Sequence, residues 1–416
     1  MTNASIITIG DELLIGQVID TNSALIAQQM NNAGFVVTRR VAVGDDYEAI
    51  ETALSEEKKH SDIILITGGL GPTADDITKP LLCKYFGGKM IVNDVVLENI
   101  TAIFKAIKKQ LTSRNIKQAE VPDVCTVLPN KIGTAPGMVF YETINKTEKV
   151  FISMPGVPQE MKGIMVDEVI PLLQAKYKTT KIEHRTLLCA DVGESTLADI
   201  LSDFEEKLPL TIKLAYLPNY SMVRLRLTEI DALKSNIGNY FIALQNIVKE
   251  YLVTTEDESM EQVLGKLLKV KGKTMCTAES CTGGYIAHLI TSIAGSSSFY
   301  DGSVISYSYQ AKEDLVHVNN ITLIEKGAVS EDVVKEMAAG VLKNIHSDYA
   351  IAVSGIMGPD GGLPDKPVGT VWICVGSKNN LKAHKFRFRY DRELNIKLTA
   401  TNALNMLRKF ILDEED

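Results

Sequence analysis

The feature that most constrains the fold is the alternation, through the N-terminal part of the chain, of short apolar runs with stretches of helical periodicity. The apolar runs cover residues 5–9, 35–43, 62–67, 126–128, 137–141 and 150–154. Between the first two runs the apolar residues recur at helical spacing, and Asn22 or Ser23 is expected to cap that helix. Strands that alternate with helices predict βαβ units and a mainly parallel sheet, which is an α/β fold.

The length of 416 residues and two changes in the pattern of predicted strands and helices indicate three domains. The α/β pattern fills residues 1–170. In residues 171–256 short alternating strands surround two helices, which predicts a small α+β linker domain. A helical pattern that Gly272 ends, followed by a strand at 274–277, opens the third domain, residues 257–416, again with an α/β pattern.

Composition narrows the class of function. The chain has 44 basic and 52 acidic residues, a formal charge of −8, so no nucleic-acid partner is expected. Six scattered cysteines without paired spacing favour free thiols in a reducing compartment, and we expect a cytoplasmic protein. The apolar run at 6–9 is too short for a signal peptide or a membrane span, so no membrane partner is expected either. Small-molecule chemistry is favoured.

A glycine-rich segment at 67–78 (TGGLGPTADDIT) follows one of the predicted strands. Its glycines can bring backbone N–H groups close to an anion. Acidic residues that follow this and neighbouring strands are Asp11, Glu12, Asp45, Asp46, Asp75 and Asp76. The carboxyl ends of parallel strands share one edge of a sheet, so these acids are expected to converge, as a divalent metal beside a diphosphate requires. The alternative is that each acid caps a helix or a turn.

Five motifs in the N-terminal half together resemble the competence/damage-inducible protein A (CinA) family. They are GDELL at 10–14, DTN at 20–22, TGGLGPTADDIT at 67–78, GTAPG at 133–137 and PGVPQEM at 155–161. The resemblance implies a molybdopterin-binding-like fold and, as in several members, hydrolysis of ADP-ribose to AMP and ribose 5-phosphate with a divalent metal such as Mg²⁺. It also implies a phosphate site formed by Gly68, Gly69, Gly71 and Thr73, and candidate metal ligands Asp45, Asp76, Asp75 and Glu12. The same resemblance leaves open a pterin-binding module without hydrolytic activity.

A second chemical motif lies in the C-terminal part, where a strand leads through Ser280, Cys281, Thr282 and two glycines into a helical stretch. A hydroxyl at a helix N-terminus lies beside unpaired N–H groups that can stabilise an oxyanion, which suits acyl transfer. The alternative is a simple helix cap. The six histidines form no triad, and the better base is Lys312, five residues after Tyr307. Lys312 requires a pKa below its usual value of roughly 10.4 to act as a base.

The motifs of this part resemble the C-terminal domain of the same family, which is similar to nicotinamide-nucleotide amidase. They are ESCTGG at 279–284, AGSS at 294–297, YSYQAK at 307–312, GAVS at 327–330, SGIMGPDGG at 354–362 and KPVGT at 366–370. The resemblance implies conversion of nicotinamide mononucleotide to nicotinate mononucleotide and ammonia without a cofactor. Tyr309 stands where asparagine is expected, and Tyr390 where glycine is expected.

The resemblance also implies a role for each matched residue. Ser280 attacks the carboxamide, and Lys312 with Tyr307 manages the proton. Thr282, Gly283 and Ser354 hold substrate or oxyanion. Arg392 pairs with the nucleotide phosphate, for which a guanidinium is well suited; the alternative is a surface ion pair with Glu393 or Asp391.

Composition predicts a cytoplasmic protein, and the family resemblance implies a homodimer that hydrolyses two products of NAD breakdown, nicotinamide mononucleotide and ADP-ribose. The rival hypothesis is a pterin- or nucleotide-binding regulatory protein, linked to competence or DNA damage, whose N-terminal half is not catalytic.

Overall fold

The helices and strands follow the predicted alternation in a computed structural model that describes residues 2–73, 75–230 and 236–414. Strands β1 to β17 are Asn3–Ile9, Val36–Val43, Ile63–Thr67, Met90–Val92, Glu120–Pro122, Thr126–Leu128, Gly137–Ile144, Thr147–Met154, Ile182–Ala190, Ile212–Asn219, Met222–Ile230, Leu252–Thr254, Met275–Glu279, Tyr300–Ile305, Tyr349–Gly355, Thr370–Ser377 and Leu381–Arg387. Helices α1 to α16 are Asp11–Leu14, Thr21–Asn32, Tyr47–His60, Thr78–Tyr85, Asp94–Ala106, Ser113–Lys117, Pro158–Ile164, Ile170–Lys176, Glu194–Glu206, Ile237–Ile247, Met260–Lys271, Tyr285–Thr291, Tyr309–Val316, Asn320–Lys326, Glu331–Ile345 and Arg392–Asp413. A π-helical turn at Met165–Val169 joins α7 to α8, and Ser296–Ser298 is a 3₁₀ turn. The α/β class predicted from the sequence is confirmed.

Contacts between residues divide the described chain into two units. The N-terminal unit holds residues up to 182, and the C-terminal unit holds residues 183–229 together with those from 236 onward. The three-domain division at 170 and 256 stays a prediction.

In the N-terminal unit one sheet has the order β2-β1-β3-β8-β7-β6. Its first four strands are parallel, and β7 and β6 are antiparallel. Successive side chains of a strand enter opposite cores: Ile6 and Leu65 pack on one face, and Ile7 and Ile66 on the other. Because both faces are covered, the central strand β3 is buried along its whole length, whereas the edge strand β2 carries the exposed residues Thr38, Arg39 and Arg40. The loops that follow β1, β2, β3 and β8 therefore meet at one edge of the sheet.

The cap of α2 differs from the prediction. Asp20, rather than Asn22 or Ser23, is the N-cap, and its carboxylate accepts from the Ser23 N–H at 2.9 Å. The second carboxylate oxygen accepts from the Thr8 hydroxyl at 2.9 Å. This contact with the end of β1 fixes Asp20 just before the helix, which begins at Thr21.

In the C-terminal unit a sheet of order β14-β13-β15-β16-β17 carries β13 parallel to both of its neighbours. The strand predicted at 274–277 continues to Glu279, because Glu279 pairs with Ile305 on one side and Val353 on the other. Ser280 therefore follows the central parallel strand directly.

Residues 183–229 contribute to a second sheet of the C-terminal unit, with the order β10-β11-β9-β12. Leu187 and Cys189 pack with α9 and α10 on one face of β9. Leu188 and Ala190 enter the core that β13, β15 and α16 also line. Alternation along one strand thus joins this sheet to the rest of the unit.

The six cysteines are free thiols, as predicted. Within residues 2–73, 75–230 and 236–414, no helix has both the length and the apolar character required to cross a membrane. Cytoplasmic location stays a prediction.

The contact between α13 and α15 generates a stability prediction. A Cβ on Gly340 would lie 1.8 Å from the carbonyl oxygen of Val316, a buried residue whose backbone cannot yield freely. Gly340→Ala should lower the free energy of unfolding by about 1–3 kcal/mol, measured by thermal or urea unfolding. Gly238→Ala is the matched control, because Gly238 is exposed on α10 and its Cβ would meet nothing within 4 Å. Equal stability of the two variants would contradict the close packing.

Candidate functional site

Ser280 lies at the carboxyl end of β13, and its N–H donates to the Val353 carbonyl at 3.1 Å. A turn at 281–284 separates it from α12, whose N-cap position is occupied by Gly284. The alternative that Ser280 is a simple helix cap is therefore wrong. Its side chain has a different partner.

That partner is Lys312, whose amine donates to Ser280 Oγ at 2.9 Å although the two residues are 32 positions apart. The same amine donates to the backbone carbonyls of Ser306 at 2.8 Å and Tyr307 at 3.1 Å. Lys312 is 1% exposed, and burial lowers its pKa to about 8. Lys312 thus meets the requirement stated for a base.

The sheet explains why these residues meet. Residues 306–308 follow β14, which runs parallel to β13, and the Ser306 N–H donates to the Glu279 carbonyl at 2.9 Å. Ser308 then caps α13 by accepting from the Ala311 N–H at 3.0 Å. The helix begins beside the Ser280 turn, and its first turn points Lys312 back to the end of β13.

Glu279 is a site residue that sequence reasoning missed. Its carboxylate is fully buried and accepts from the Thr282 hydroxyl at 2.7 Å and from the N–H groups of Gly284, Ile286 and Ala287 at 3.1, 3.1 and 2.8 Å. It therefore caps α12 and holds the turn that carries Ser280. The sequence signal for this role was an acidic residue that precedes a helix whose own N-cap position is a glycine, Gly284.

Two predicted substrate contacts, Thr282 and Gly283, lie in this turn. Thr282 is 5% exposed and its hydroxyl donates to Glu279. Gly283 has a φ of 61° and its N–H donates to the Ser280 carbonyl at 3.2 Å, which closes the turn. Both residues shape the position of Ser280.

Arg392 begins α16 and reaches across to two other segments of the unit. Its guanidinium donates to the Gly358 carbonyl at 2.9 Å and to the Tyr307 phenol at 3.2 Å. The alternative surface ion pair is wrong, because Asp391 caps α16 through the Leu394 N–H and Glu393 pairs with Lys397. Arg392 lies instead in the group of loops around Ser280.

Tyr307 contacts Lys312 only through its backbone carbonyl, whereas its phenol is 62% exposed and binds Arg392. The structure thus places the phenol with the guanidinium rather than with the amine that it was expected to assist. Tyr309 and Tyr390, the two departures from the family pattern, are both exposed.

Ser354 is the penultimate residue of the neighbouring strand β15 and is 1% exposed; its hydroxyl donates to the Ala328 carbonyl at 2.7 Å. Asn395 was missed by sequence reasoning. It is fully buried, and its amide donates to the carbonyls of Met357 at 3.0 Å and Tyr390 at 2.9 Å. These bonds tie the loop after β15 to the start of α16 and thereby position Arg392. A lone asparagine in an amphipathic helix carries no clear sequence signal.

In the N-terminal unit a cavity of about 350 Å³, which we name the acidic cavity, opens where the parallel strands end. Its lining includes the predicted residues Glu12, Asp45, Gly68, Gly69, Gly71, Asp75 and Asp76. A further acid, Glu160, also lines it and accepts from the Asn130 amide at 2.7 Å; the sequence reasoning missed it although it lies in the motif at 155–161. The predicted convergence is present for these four predicted acids and the glycines, whereas Asp46 caps α3 by accepting from the Ala49 N–H at 2.9 Å.

The glycine loop approaches its neighbours closely. Gly68 has a φ of 114°, and a Cβ there would lie 2.2 Å from the Ile9 carbonyl oxygen. Asp76 closes the loop: its carboxylate accepts from the N–H groups of Gly71 at 2.7 Å and Thr73 at 2.8 Å and from the Thr73 hydroxyl. The side chain of Asp76 thus caps this turn, as the alternative interpretation of the acids stated.

Asp45 and Asp11 exchange backbone-to-carboxylate hydrogen bonds of 3.1 Å. Burial, followed by the charges of Asp11, Glu12 and Asp75, raises the pKa of Asp45. Accumulated negative charge of this kind is what a divalent cation neutralises, and Mg²⁺ is often held by one or two carboxylates together with substrate phosphates. Among the described residues no three acidic, histidine or cysteine side chains form a ready metal cluster. The residues fit a metal shared with a phosphate ligand, and the ligand roles of Asp45, Asp76, Asp75 and Glu12 stay predictions.

Two family models match the chain. Residues 257–411 match the CinA C-terminal domain, and residues 5–175 match a "probable molybdopterin binding domain". A CinA-like protein of Flavobacterium psychrophilum is 44% identical over 98% of this chain and 98% of its own length. A CinA-like protein of Cytophaga hutchinsonii is 42% identical over 98% of this chain and 97% of its own length. The crystal structure of competence/damage inducible protein CihA from Agrobacterium tumefaciens is 36% identical, with a TM-score of 0.35, over 38% of this chain and 99% of that one.

Relatives at this level of identity cover almost the whole chain, including the Ser280 turn, the Lys312 helix and the glycine loop. The predicted resemblance is confirmed, and this chain belongs to the CinA family.

Proposed function

We propose that the C-terminal unit hydrolyses the carboxamide of nicotinamide mononucleotide, giving nicotinate mononucleotide and ammonia. The observation that carries this proposal is the buried hydrogen bond between Ser280 Oγ and Lys312 Nζ. A serine hydroxyl is a weak nucleophile until a neighbouring base takes its proton. Lys312 is buried, and burial lowers its pKa to about 8, so a useful fraction of it is neutral near neutral pH.

The chemistry runs through an acyl ester on Ser280. Neutral Lys312 accepts the Ser280 proton while Oγ bonds to the carboxamide carbon; the resulting ammonium then protonates the amide nitrogen, the C–N bond breaks and ammonia leaves. Water attacks the ester carbon, Lys312 accepts its proton, and that proton returns to Ser280 Oγ as the C–O bond breaks. The product is the carboxylic acid, and no histidine or metal takes part.

Arg392 suits the nucleotide phosphate. It is a fixed cation whose position is set by Gly358 and Tyr307, and a guanidinium binds phosphate oxygens through paired donors. The phenol of Tyr307 orients this group, so we assign Tyr307 to substrate positioning beside the proton role that its motif implies.

For the N-terminal unit we propose metal-dependent hydrolysis of ADP-ribose to AMP and ribose 5-phosphate in the acidic cavity. Support comes from the carboxylates and the glycine loop that line one space. A divalent metal there supplies charge neutralisation and an activated water. Asp45, Glu12 and Asp75 would hold it, and Gly68 and Gly69 allow a phosphate to approach the backbone. The homodimeric state and the metal requirement are part of this proposal.

A second candidate for the N-terminal unit is a pterin- or nucleotide-binding regulatory module without hydrolysis. One observation favours it: Asp76 is engaged by its own loop, so its carboxylate is not free for chemistry. Metal-dependent turnover of ADP-ribose separates the two candidates.

Replacement of each key residue should remove one activity only. In the full chain, Ser280→Ala should lower ammonia release from nicotinamide mononucleotide about a thousand-fold or more, because the nucleophile is lost. It should leave ADP-ribose hydrolysis unchanged, and Asp76→Ala should do the reverse, because the glycine loop would lose the carboxylate that closes it. Both substrates are assayed with and without Mg²⁺. Joint loss in either variant would mean that the sites are coupled or misassigned, and an intact chain that releases no ammonia would refute the amidase.

The rate of ammonia release should rise with pH. Only neutral Lys312 accepts a proton, and its pKa is lowered to about 8, so kcat/KM should rise about tenfold per pH unit below this value and level off above it. A pH–rate profile checks this. Lys312→Arg should be inactive at every pH, because a guanidinium stays protonated. A flat profile in the wild-type chain would rule out Lys312 as the base.

Variants of Arg392 and Tyr307 should separate binding from proton transfer. Arg392→Gln should raise KM for nicotinamide mononucleotide by about 10–100-fold with a smaller effect on kcat, because a phosphate contact is made before and during reaction. Tyr307→Phe should raise KM modestly and leave the pH profile in place. A shifted profile or a collapse of kcat in Tyr307→Phe would instead show that the phenol handles the proton.

A further inference from the structure

A second cavity, also of about 350 Å³, lies against the glycine loop of the N-terminal unit. It shares Gly71, Pro72, Asp76 and Gln118 with the acidic cavity, so the loop forms part of both walls. We name it the basic cavity, because Lys79, Arg114 and Lys117 line it. No basic side chain lines the acidic cavity within the described ranges.

Lys79 is the unexplained residue of this cavity. It is only 7% exposed near the start of α4, and its amine donates to the Gln118 carbonyl at 3.0 Å. Burial lowers its pKa to about 8, although Glu120 and Asp76 lie near enough to oppose that shift. An ammonium has three donors, and in the part of the chain that the structure describes one of them has an acceptor. A buried cation of this kind is costly without an anionic partner.

The acids near Lys79 do not fill that role. The oxygens of Asp76 already accept from Gly71 and Thr73, and no hydrogen bond joins Glu120 to Lys79 among the described residues. Arg114 and Lys117 are exposed at the rim and add positive charge. Three cations thus line the cavity together with the carboxylates of Asp76 and Glu120, and a phosphate group can enter the space between them.

The two cavities are adjacent, since they share four lining residues, and they differ in the charge of their other lining side chains. The acidic side suits a phosphate that arrives with a divalent cation, whereas the basic side suits a phosphate that pairs directly with lysine and arginine. A diphosphate carries two such groups joined by one oxygen, and each end of a dinucleotide-like ligand needs room of its own. Two spaces of equal volume meet that need.

We propose that the basic cavity binds one phosphate of a diphosphate ligand, held by Lys79 and steered by Arg114 and Lys117, while the other phosphate lies in the adjacent acidic cavity, at the junction that the four shared residues line. The ligand class rests on the proposed hydrolysis of ADP-ribose. The pairing of Lys79 with phosphate does not, because it follows from the cavity alone.

Binding of inorganic pyrophosphate to the full chain, measured by calorimetry in the presence of a chelator, tests the subsite without turnover. Lys79→Met should weaken the affinity about 10–100-fold, since a charge-assisted contact is lost. The double variant Arg114→Gln/Lys117→Gln should weaken it about 3–10-fold, since rim charges contribute less. Lys84→Gln is the matched control, because it removes an exposed charge from the same helix outside the basic cavity. This variant should bind pyrophosphate as tightly as the wild type does.

The rim variant decides the outcome, because exposed side chains are replaced and the fold is not at risk. Weaker pyrophosphate binding in this variant, with unchanged binding in Lys84→Gln, supports the subsite; any other pattern overturns it. ADP-ribose hydrolysis with Mg²⁺ on the same proteins separates the two proposals. If the wild-type protein binds pyrophosphate through these residues but does not hydrolyse ADP-ribose, the proposed activity is wrong and the phosphate subsite stands. Hydrolysis with an unchanged KM in the rim variant refutes the subsite and keeps the activity.

Discussion

The carboxylate of Glu279 organises the candidate active site of the C-terminal unit. It is fully buried at the end of β13, and it accepts four hydrogen bonds from the turn and helix that follow. A buried carboxylate is tolerated only when donors surround it, so the turn has little freedom to rearrange. Ser280, the next residue, is held by this arrangement in reach of Lys312. Removal of the Glu279 carboxylate would leave four donors without an acceptor.

Parallel strand pairing provides the second constraint, and it acts in both units. β13, β14 and β15 end at one edge, which brings together Ser280, the segment before Lys312, and Ser354. In the N-terminal unit the ends of β1, β2, β3 and β8 bring together the acids and the glycine loop. A parallel sheet delivers distant parts of the chain to one edge, which is why ligand sites form there.

The predicted residues differ in what their polar groups bind. The Lys312 amine and the Arg392 guanidinium bind other predicted site residues, Ser280 and Tyr307, whereas Thr282, Ser354 and Asp76 have their hydroxyl or carboxylate groups engaged by supporting backbone or side-chain groups. Such bonds rigidify a site and orient the groups beside them. Serine, threonine and aspartate residues therefore hold the loops of these sites in place and are also candidates for contact with a substrate. Asn395 and Glu279 only hold the loops in place.

Much was accessible from the sequence alone. Apolar periodicity predicted the α/β class and the edge at which the acids gather, because these depend on local pattern and on the general geometry of parallel sheets. The residue types after the C-terminal strands predicted Ser280 and Lys312, and the family resemblance implied Arg392. Tertiary structure alone decided that Ser280 is bonded to Lys312 rather than capping a helix, that the Tyr307 phenol binds Arg392, and that Glu279 and Asn395 hold the loops in place. These contacts join residues distant in sequence, or depend on burial, and burial is a property of the packed chain that no local pattern specifies.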